Sequence, residues 1–194
     1  MKITLAGEED LGEIVRIHMA AFPNFFLTSL GKYFLNELYL GFLQIKGGHL
    51  YVAVEGTVIL GFLAGAECPE TFFRHLKKSK WFKFFFYALP SMVKSPYFYF
   101  RKLFFAIFYS GDADDLVPYS ALLSSIAVHP SYQISGVGKS LVNHFFNALI
   151  SNSDCKLVVL TTDSENNQKA KNFYLGCGFE FVNEFTKFPS RKMI

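Results

Sequence analysis

The chain has 194 residues, a formal net charge of +3 and a 51% share of hydrophobic residues, which is enough for one packed domain and too apolar for a disordered chain. Its three cysteines, Cys68, Cys155 and Cys177, are odd in number and form no C-x-x-C pair, which excludes a disulfide framework and indicates reduced thiols in the cytoplasm. The five histidines lack metal-ligand spacing, so we expect no metal. No apolar run approaches the ~18–20 residues that span a bilayer, and the polar first ten residues predict no signal peptide.

Hydrophobic periodicity predicts strands and helices that alternate along much of the chain. In order, the pattern predicts a strand over 2–5, a helix that follows Asp10, a helix over about 29–43, a hairpin of strands 49–54 and 58–66, a strand over 121–128, a helix over 136–150, a strand over 156–161, a helix over 167–175 and a strand over 179–185, with one more strand in the tail. This order predicts a single α/β domain over 1–194 of α+β character, with a central, twisted, mixed sheet and helices on both faces.

The segment 71–110 differs in composition from the rest of the chain. It contains eight Lys and Arg, no Asp or Glu, and 16 of the 35 aromatic residues. Its two apolar runs, 81–89 and 97–109, are apolar nearly all round if helical, so they must be buried against the domain, a second subunit or a bilayer surface. Because Pro90 and Pro96 divide the segment into short pieces, we expect a helical insertion that forms a lid or a homodimer surface, with peripheral membrane contact as the alternative.

The motif Gln133-x-x-Gly136-x-Gly138 lies between a predicted strand and a predicted helix. Glycine lets the backbone approach a ligand closely, and the N–H groups at a helix N-terminus favour negative charge. The motif therefore predicts an anion cradle. Its residues are Gln133, Ile134, Ser135, Gly136, Val137, Gly138, Lys139 and Ser140. Lys139 either adds a charge to the cradle or is a solvated helix residue.

A second motif follows further along the chain, where Asn167, Ala170, Tyr174, Gly178 and Phe179 form the pattern N-x-x-A-x-x-x-Y-x-x-x-G-F. In this order and spacing, the two motifs resemble those of the Gcn5-related N-acetyltransferase (GNAT) superfamily. The resemblance implies that the cradle binds the pyrophosphate of acetyl-coenzyme A (acetyl-CoA). It covers roughly 121–185 and, more loosely, 2–67, but not the segment 71–110.

The resemblance also implies roles for single residues. Ile126, Ala127 and Val128, at the end of their strand, provide backbone partners for the arm of the coenzyme. Tyr174 protonates the leaving thiolate, since the pKa of a phenol (~10) is close enough to that of a thiol (~8.5) for proton donation. Asn167 either caps its helix or contacts the cofactor.

The general base stays open between two carboxylates. Glu67 ends the second strand of the hairpin and Asp163 follows a later strand, and either can act through a water molecule. Ser124 and Ser125 occupy strand positions where some relatives carry an acid, which argues against a base on that strand. His18 lies on the apolar face of a helix and is interpreted as a core residue.

The sequence thus predicts a cytoplasmic acetyl-CoA-dependent N-acetyltransferase in which a primary amine attacks the thioester directly. The resemblance implies that the aromatic joint 22–28 forms one wall of the acceptor cleft. The acceptor is expected to be a primary amine of a small molecule or of a peptide or protein. The basic insertion points to an anionic acceptor or surface, such as a nucleotide-linked amino sugar, an acidic peptide terminus or a phospholipid headgroup. A membrane-surface acyltransferase with a longer acyl-CoA and a weak CoA-binding sensor or scaffold are the alternatives. We expect no nucleic acid as partner, because no recognition fold accompanies the basic and aromatic residues.

Overall fold

The structure is a computed structural model that describes residues 1–94, 120–132, 136–152, 155–187 and 191–193. The strands are β1 Lys2–Leu5, β2 Gly48–Glu55, β3 Val58–Glu67, β4 Ser120–Val128, β5 Leu157–Val159, β6 Phe185–Lys187 and β7 Arg191–Met193. The helices are α1 Leu11–Ala21, α2 Phe26–Ser29, α3 Lys32–Gln44, α4 Pro69–Lys94, α5 Val137–Asn152 and α6 Gln168–Gly176. The chain divides into two compact units, Met1–Val158 and Val159–Ile194, and each is described by itself. The single domain predicted over 1–194 stays a prediction.

Five strands form one sheet in the order β1-β2-β3-β4-β5. β2 and β3 form the predicted hairpin, with Gly48 opposite Ala66, and β4 lies antiparallel to β3, with Gly61 opposite Val128. The predicted mixed sheet with helices on both faces is confirmed.

One face of this sheet is covered by α1, α3 and the first turns of α4. Ile14 and Ile17 of α1 are fully buried, because the apolar residues of that helix recur on one side. Tyr39 and Phe42 of α3 lie in the same cluster, and the Tyr39 ring packs edge-on against Phe62 of β3 at a centroid distance of 5.0 Å. This face holds the main core of the first unit.

The opposite face is covered by α5. Leu141 and Phe145 of this helix are fully buried. The Phe145 ring lies directly over Gly65 of β3, where a Cβ would collide with the ring atoms. A glycine at this strand position therefore sets how closely α5 approaches the sheet.

β4 contains a β-bulge in the middle of its pairing with β3. Ala64 lies opposite Ser125 while the next residue, Gly65, lies opposite Leu123, so Ser124 is the extra residue. A bulge of this kind bends the strand and redirects the side chains around it. The bulge separates the first half of β4 from the 126–128 end that precedes the predicted cradle.

Two predicted elements differ in the structure. The predicted strand over 179–185 is wrong, since 179–184 are not extended into a sheet, and β6 pairs instead with β7, which confirms the predicted tail strand. Phe181 and Val182 are exposed, so their side chains provide no buried face to hold a strand there. The helix predicted from about residue 29 is divided, because Gly31 has a φ of +92° and ends α2 before α3 begins.

The first part of the insertion forms one continuous helix and not the separate short pieces that its prolines predict. α4 continues from Pro69 through Pro90 to Lys94, so Pro90 does not end the helix. Proline removes one backbone donor. The hydroxyl of Ser91 donates to the Ser29 carbonyl at 2.7 Å and holds the last turns of α4 on α2. Pro96 and the apolar run 97–109 lie outside the described residues. Among the helices that the structure describes, none combines the length and the hydropathy needed to cross a membrane.

Candidate functional site

The predicted anion cradle begins where the chain enters α5. Gly136 precedes this helix with a φ of +101°, and open space surrounds the position that its Cβ would take. The N–H groups of the first helical turn, which includes Val137, Gly138 and Lys139, have no intrahelical acceptors. The Ser140 N–H is the first to close the helix, since it donates to the Gly136 carbonyl at 2.8 Å. Gln133, Ile134 and Ser135, the other predicted cradle residues, lie outside the described residues.

The strand that leads into the cradle is held rigidly on one side. Ile126, Ala127 and Val128 lie opposite Leu63, Phe62 and Gly61 of β3. β5 has only three residues against the nine of β4, so it can pair with only part of the other edge of β4. That the 126–128 backbone offers amide groups to an extended ligand, as the resemblance implies, stays a prediction.

The turn between β4 and the cradle lies beside a guanidinium group, that of Arg16, which the sequence patterns did not indicate. The His129 N–H donates to the Leu60 carbonyl at 2.8 Å and prolongs the ladder. Arg16 of α1 places its Nη1 3.1 Å from His129 Nε2, and Glu13 hydrogen-bonds the same guanidinium. The hydrogen bond from Arg16 holds the pKa of Glu13 below its usual range. The only sequence signal for Arg16 is its spacing of three from Glu13.

A buried hydrogen-bond chain ends at β4 beside the bulge. His18 Nδ1 lies 2.6 Å from the Tyr39 hydroxyl, which lies 3.3 Å from Ser125 Oγ. Burial lowers the pKa of His18 to about 4, so the ring is neutral at pH 7. Burial also raises the pKa of Tyr39 above its usual value. His18 is 1% exposed, so it lies in the core as predicted, but its Nε2 has no hydrogen-bond partner in the described structure, so its hydrogen bonding is not fully satisfied as a core histidine was expected to be.

Glu67, the first predicted base, is already engaged. Its Oε1 lies 2.7 Å from His49 Nε2, and His49 Nδ1 lies 3.0 Å from the Tyr51 hydroxyl. Burial, followed by the charge of Glu67, raises the pKa of Tyr51. Glu67 lies opposite Ala121, at the end of the β3–β4 ladder away from Val128, and the six residue steps of β3 from Gly61 to Glu67 correspond to roughly 20 Å. The structure therefore does not bring Glu67 to the cradle end of β4.

The second unit contains the other predicted catalytic residues. Asp163 forms an isolated antiparallel bridge with Met193. Asn167 stands at the N-cap position of α6, but its side chain makes no capping hydrogen bond, so the predicted cap is wrong. Its amide turns back instead, donating to Thr162 Oγ1 at 2.7 Å and to the Asp163 carbonyl at 3.2 Å. Asn167 thus fixes the loop that carries Asp163.

Tyr174 lies near the end of α6 and is held by its neighbours. Its ring packs edge-on against Phe173 and Phe179, with centroid distances of 5.2 and 5.7 Å. The Phe179 N–H donates to the Tyr174 carbonyl at 3.1 Å, and Gly178 makes this reversal possible with a φ of +90°. Burial, followed by the nearby Cys177 thiol, raises the pKa of Tyr174 to about 12. The phenol is therefore protonated at neutral pH, as a general acid must be.

The chain was compared with known families and proteins. A family profile described as the acetyltransferase (GNAT) domain matches residues 103–181. The search of curated proteins finds no match. Among the residues that the structure describes, no group of His, Cys, Asp or Glu could hold a metal ion.

Several solved structures share the fold over nearly the whole chain. The aminoglycoside N-acetyltransferase AAC(6')-Iy, solved in complex with CoA, is 14% identical, with a TM-score of 0.63 over 97% of this chain and 93% of that one. The ribosomal-protein-alanine N-acetyltransferase of Brucella melitensis is 14% identical, with a TM-score of 0.63 over 100% and 96%. The ribosomal-protein-S18-alanine N-acetyltransferase of Escherichia coli is 14% identical, with a TM-score of 0.58 over 99% and 88%. At 14% identity, the structural similarity shows a shared fold and no more than that.

Proposed function

We propose that this chain, which belongs to the GNAT superfamily of acetyltransferases, transfers the acetyl group of acetyl-CoA to a primary amine. The membership predicted from the sequence motifs is confirmed by the domain match and by the fold. The remaining steps, which concern the co-substrate, the reacting residues and the acceptor, are our proposal.

The junction between β4 and α5 is the observation that carries this function. Coenzyme A is a polyanion on an extended arm, so it needs backbone partners for the arm and N–H donors for its phosphates. The end of β4 provides the first and the opening turn of α5 provides the second. The open space beside Gly136 leaves room for an anion to approach the backbone. The residues present therefore fit acetyl-CoA.

We assign the chemical roles to side chains as follows. The neutral amine attacks the thioester carbonyl, a C–N bond forms, and the C–S bond then breaks. Tyr174 donates its proton to the departing thiolate; its position in the N-x-x-A-x-x-x-Y-x-x-x-G-F motif supports the role, and its raised pKa keeps the phenol protonated although it makes it a weaker acid. The amine loses its proton to a carboxylate through water, and Asp163 is the better candidate, because Glu67 is hydrogen-bonded to His49 at the far end of the ladder.

The acceptor is an amine of a small molecule or of a peptide. The structurally similar enzymes are named for both classes, aminoglycosides in one case and ribosomal-protein alanine in the others. We propose a small anionic amine, such as a nucleotide-linked amino sugar, because the insertion 71–110 is basic throughout. A cytoplasmic enzyme would meet such acceptors together with acetyl-CoA.

The decisive experiment is direct binding of CoA to the wild type and to Gly136→Asp, measured by calorimetry. The added carboxylate stands in the cradle and repels phosphate, so the dissociation constant should rise roughly 100-fold, which corresponds to about 3 kcal/mol. Gly56→Asp is the matched control, since Gly56 also has a positive φ, +61°, and open space around it, but lies in the turn between β2 and β3. Unchanged affinity in folded Gly136→Asp would refute the cradle.

Turnover is tested separately with acetyl-CoA, a thiol reagent that detects free CoA, and panels of aminoglycosides, amino sugars, nucleotide-linked amino sugars and peptide amines. Acetylation of one class, confirmed by a mass increase of the acceptor, supports the proposed reaction. CoA binding with no turnover on any class would favour the sensor or scaffold function instead. Faster turnover with long-chain acyl-CoA would favour the membrane-surface acyltransferase.

A further inference from the structure

α4 is fixed to the first unit by one face only. Phe72 and Leu76 are buried in the main core, and Ala88 is buried against α2 and α3. Between them, Lys80 and Lys83 reach the buried carboxylate of Glu37 on α3. The Nζ–Oε distances are 3.2 and 2.8 Å.

The contact with Glu37 sets the rotation of α4 about its own axis. Burial alone would raise the pKa of Glu37, but the hydrogen bonds from Lys83 and Lys80 outweigh it, and the pKa lies below its usual value. The carboxylate is therefore charged and holds both ammonium groups on the inner side of the helix. This fixes which residues of α4 face away from the unit.

The opposite side of α4 presents a row of large rings to solvent. Trp81, Phe82, Phe85 and Phe86 are 63, 64, 44 and 59% exposed. Their spacing of i, i+1, i+4 and i+5 places them on one side of the helix over two successive turns. We name these four residues the aromatic stripe. An exposed apolar patch of this kind marks a binding surface.

Basic side chains continue the line of the aromatic stripe toward the N-terminus of α4. Arg74 and Lys78 lie seven and three residues before Trp81, on the same side of the helix, and both are exposed. A shallow groove joins them to the tryptophan. Its lining residues are Glu70, Phe73, Arg74, Lys77, Lys78 and Trp81. Glu70 pairs with Arg74 at 2.6 Å, and it is the only acidic residue of α4.

We propose that the outer face of α4 binds the surface of an anionic phospholipid bilayer, with the helix lying in the plane of the interface. Trp and Phe rings partition into the headgroup region, while Lys and Arg are attracted to anionic lipids. α4 has 26 residues but is not apolar enough to cross a bilayer, which is consistent with binding in the plane. The continuous course of α4 through Pro90 removes the reason for expecting separate pieces that fold back on the cleft.

Two other occupants fit the surface less well. Single-stranded nucleic acid binds in a basic groove where successive bases stack on ring faces. Only Trp81 of the aromatic stripe lines the basic groove, and the Trp81 and Phe82 rings stand edge-on to each other at an interplanar angle of 83°, so they offer no row of parallel ring faces. A second copy of the chain would need a complementary surface with buried polar partners. A bilayer requires no such complementarity.

The protein carries its own probe for this proposal, because Trp81 is its single tryptophan. The full chain is titrated with vesicles of phosphatidylcholine, with and without phosphatidylserine, while the fluorescence of Trp81 is recorded. Insertion of the ring should shift its emission to shorter wavelength and protect it from iodide. Added salt should weaken the binding, because it screens the attraction between the basic residues and the anionic lipid.

A pair of matched variants tests whether the aromatic stripe is responsible. Phe82→Ser with Phe86→Ser keeps the fluorescent reporter and removes two rings, so the partition constant should fall roughly 100-fold. Leu5→Ser with Ile150→Ser is the control, since these side chains are 69 and 78% exposed on other elements. The control should bind vesicles like the wild type. Unchanged thermal unfolding verifies that each variant is folded.

Several results would overturn the proposal. One is the absence of a spectral shift with anionic vesicles, and another is equal binding to vesicles without phosphatidylserine. Trp81 that is protected from iodide before vesicles are added would mean that another part of the protein covers the stripe. A shift caused only by single-stranded oligonucleotide, or only by dimerisation in sedimentation, would identify a different occupant. The assay needs neither acetyl-CoA nor an amine, so its outcome is independent of the proposed reaction.

Discussion

Protonation of the buried His18 should make the protein unstable in mild acid. The pKa of His18 is about 4 in the folded chain and about 6.5 when the residue is exposed in the unfolded chain. The unfolded state therefore binds the proton more tightly. The contribution of neutral His18 to stability is complete above pH ~6.5 and is lost as the pH falls toward 4. The physical cause is that the ring is 1% exposed and cannot hold a charge there.

The size of the effect follows from the difference of about 2.5 pKa units. At about 1.4 kcal/mol per unit, the full loss is about 3 kcal/mol, and about 2 kcal/mol of it falls between pH 7.5 and pH 5. That is a large share of the ~5–15 kcal/mol that a domain typically has. Urea unfolding at a series of pH values gives the free energy of unfolding directly, provided that the transition is two-state.

The matched variants are His18→Gln and His75→Gln. Gln cannot titrate but can still hydrogen-bond the Tyr39 hydroxyl, so His18→Gln should flatten the dependence on pH by about 2 kcal/mol between pH 7.5 and 5. His75 is exposed on α4, and its replacement should leave the dependence unchanged. Equal pH slopes in the wild type and in His18→Gln would refute the reasoning, as would an NMR titration of the His18 ring with a midpoint near 6.5.

Three further predictions follow from the site and the packing. Tyr174→Phe should lower kcat by roughly 10²-fold in steady-state assays while calorimetry shows the same affinity for CoA, and an unchanged kcat would remove the phenol from the mechanism. Glu37→Gln removes the charge that Lys80 and Lys83 bind, so the free energy of unfolding should fall by about 1–3 kcal/mol. Equal urea midpoints in the two proteins would show that these ion pairs add nothing to stability. Gly65→Ala places a methyl group against the ring of α5 and should cost about 1–3 kcal/mol in the same assay, whereas Gly12→Ala, on an exposed helical position with open space, should stabilise slightly.

The sequence by itself determined the features that depend on neighbouring residues. The hairpin of β2 and β3, the strand that leads to the cradle, and α5 follow from periodicity and glycine positions within short windows. The resemblance to the GNAT superfamily follows in the same way, because its two motifs are local patterns ending at Gly138 and Phe179. The two predicted elements that failed depended on features that no local pattern specifies, namely the φ of +92° at Gly31 and the exposure of Phe181 and Val182.

Only the tertiary structure decided which distant residues meet. The chain from His18 through Tyr39 to Ser125 joins residues that are 21 and 86 positions apart, and no spacing rule indicates it. The hydrogen bond between His49 and Glu67 likewise depends on the register of β2 against β3. Side chains become partners when packing brings their atoms within reach, which no local window records.

The orientation of α4 was decided in the same way. Its sequence is apolar nearly all round, so periodicity cannot distinguish an inner face from an outer one. The buried carboxylate of Glu37 makes that choice by binding Lys80 and Lys83, which are 43 and 46 residues away along the chain. Because a buried charge is stable only with its partners, the helix directs Lys80 and Lys83 toward Glu37 and leaves the aromatic stripe in solvent.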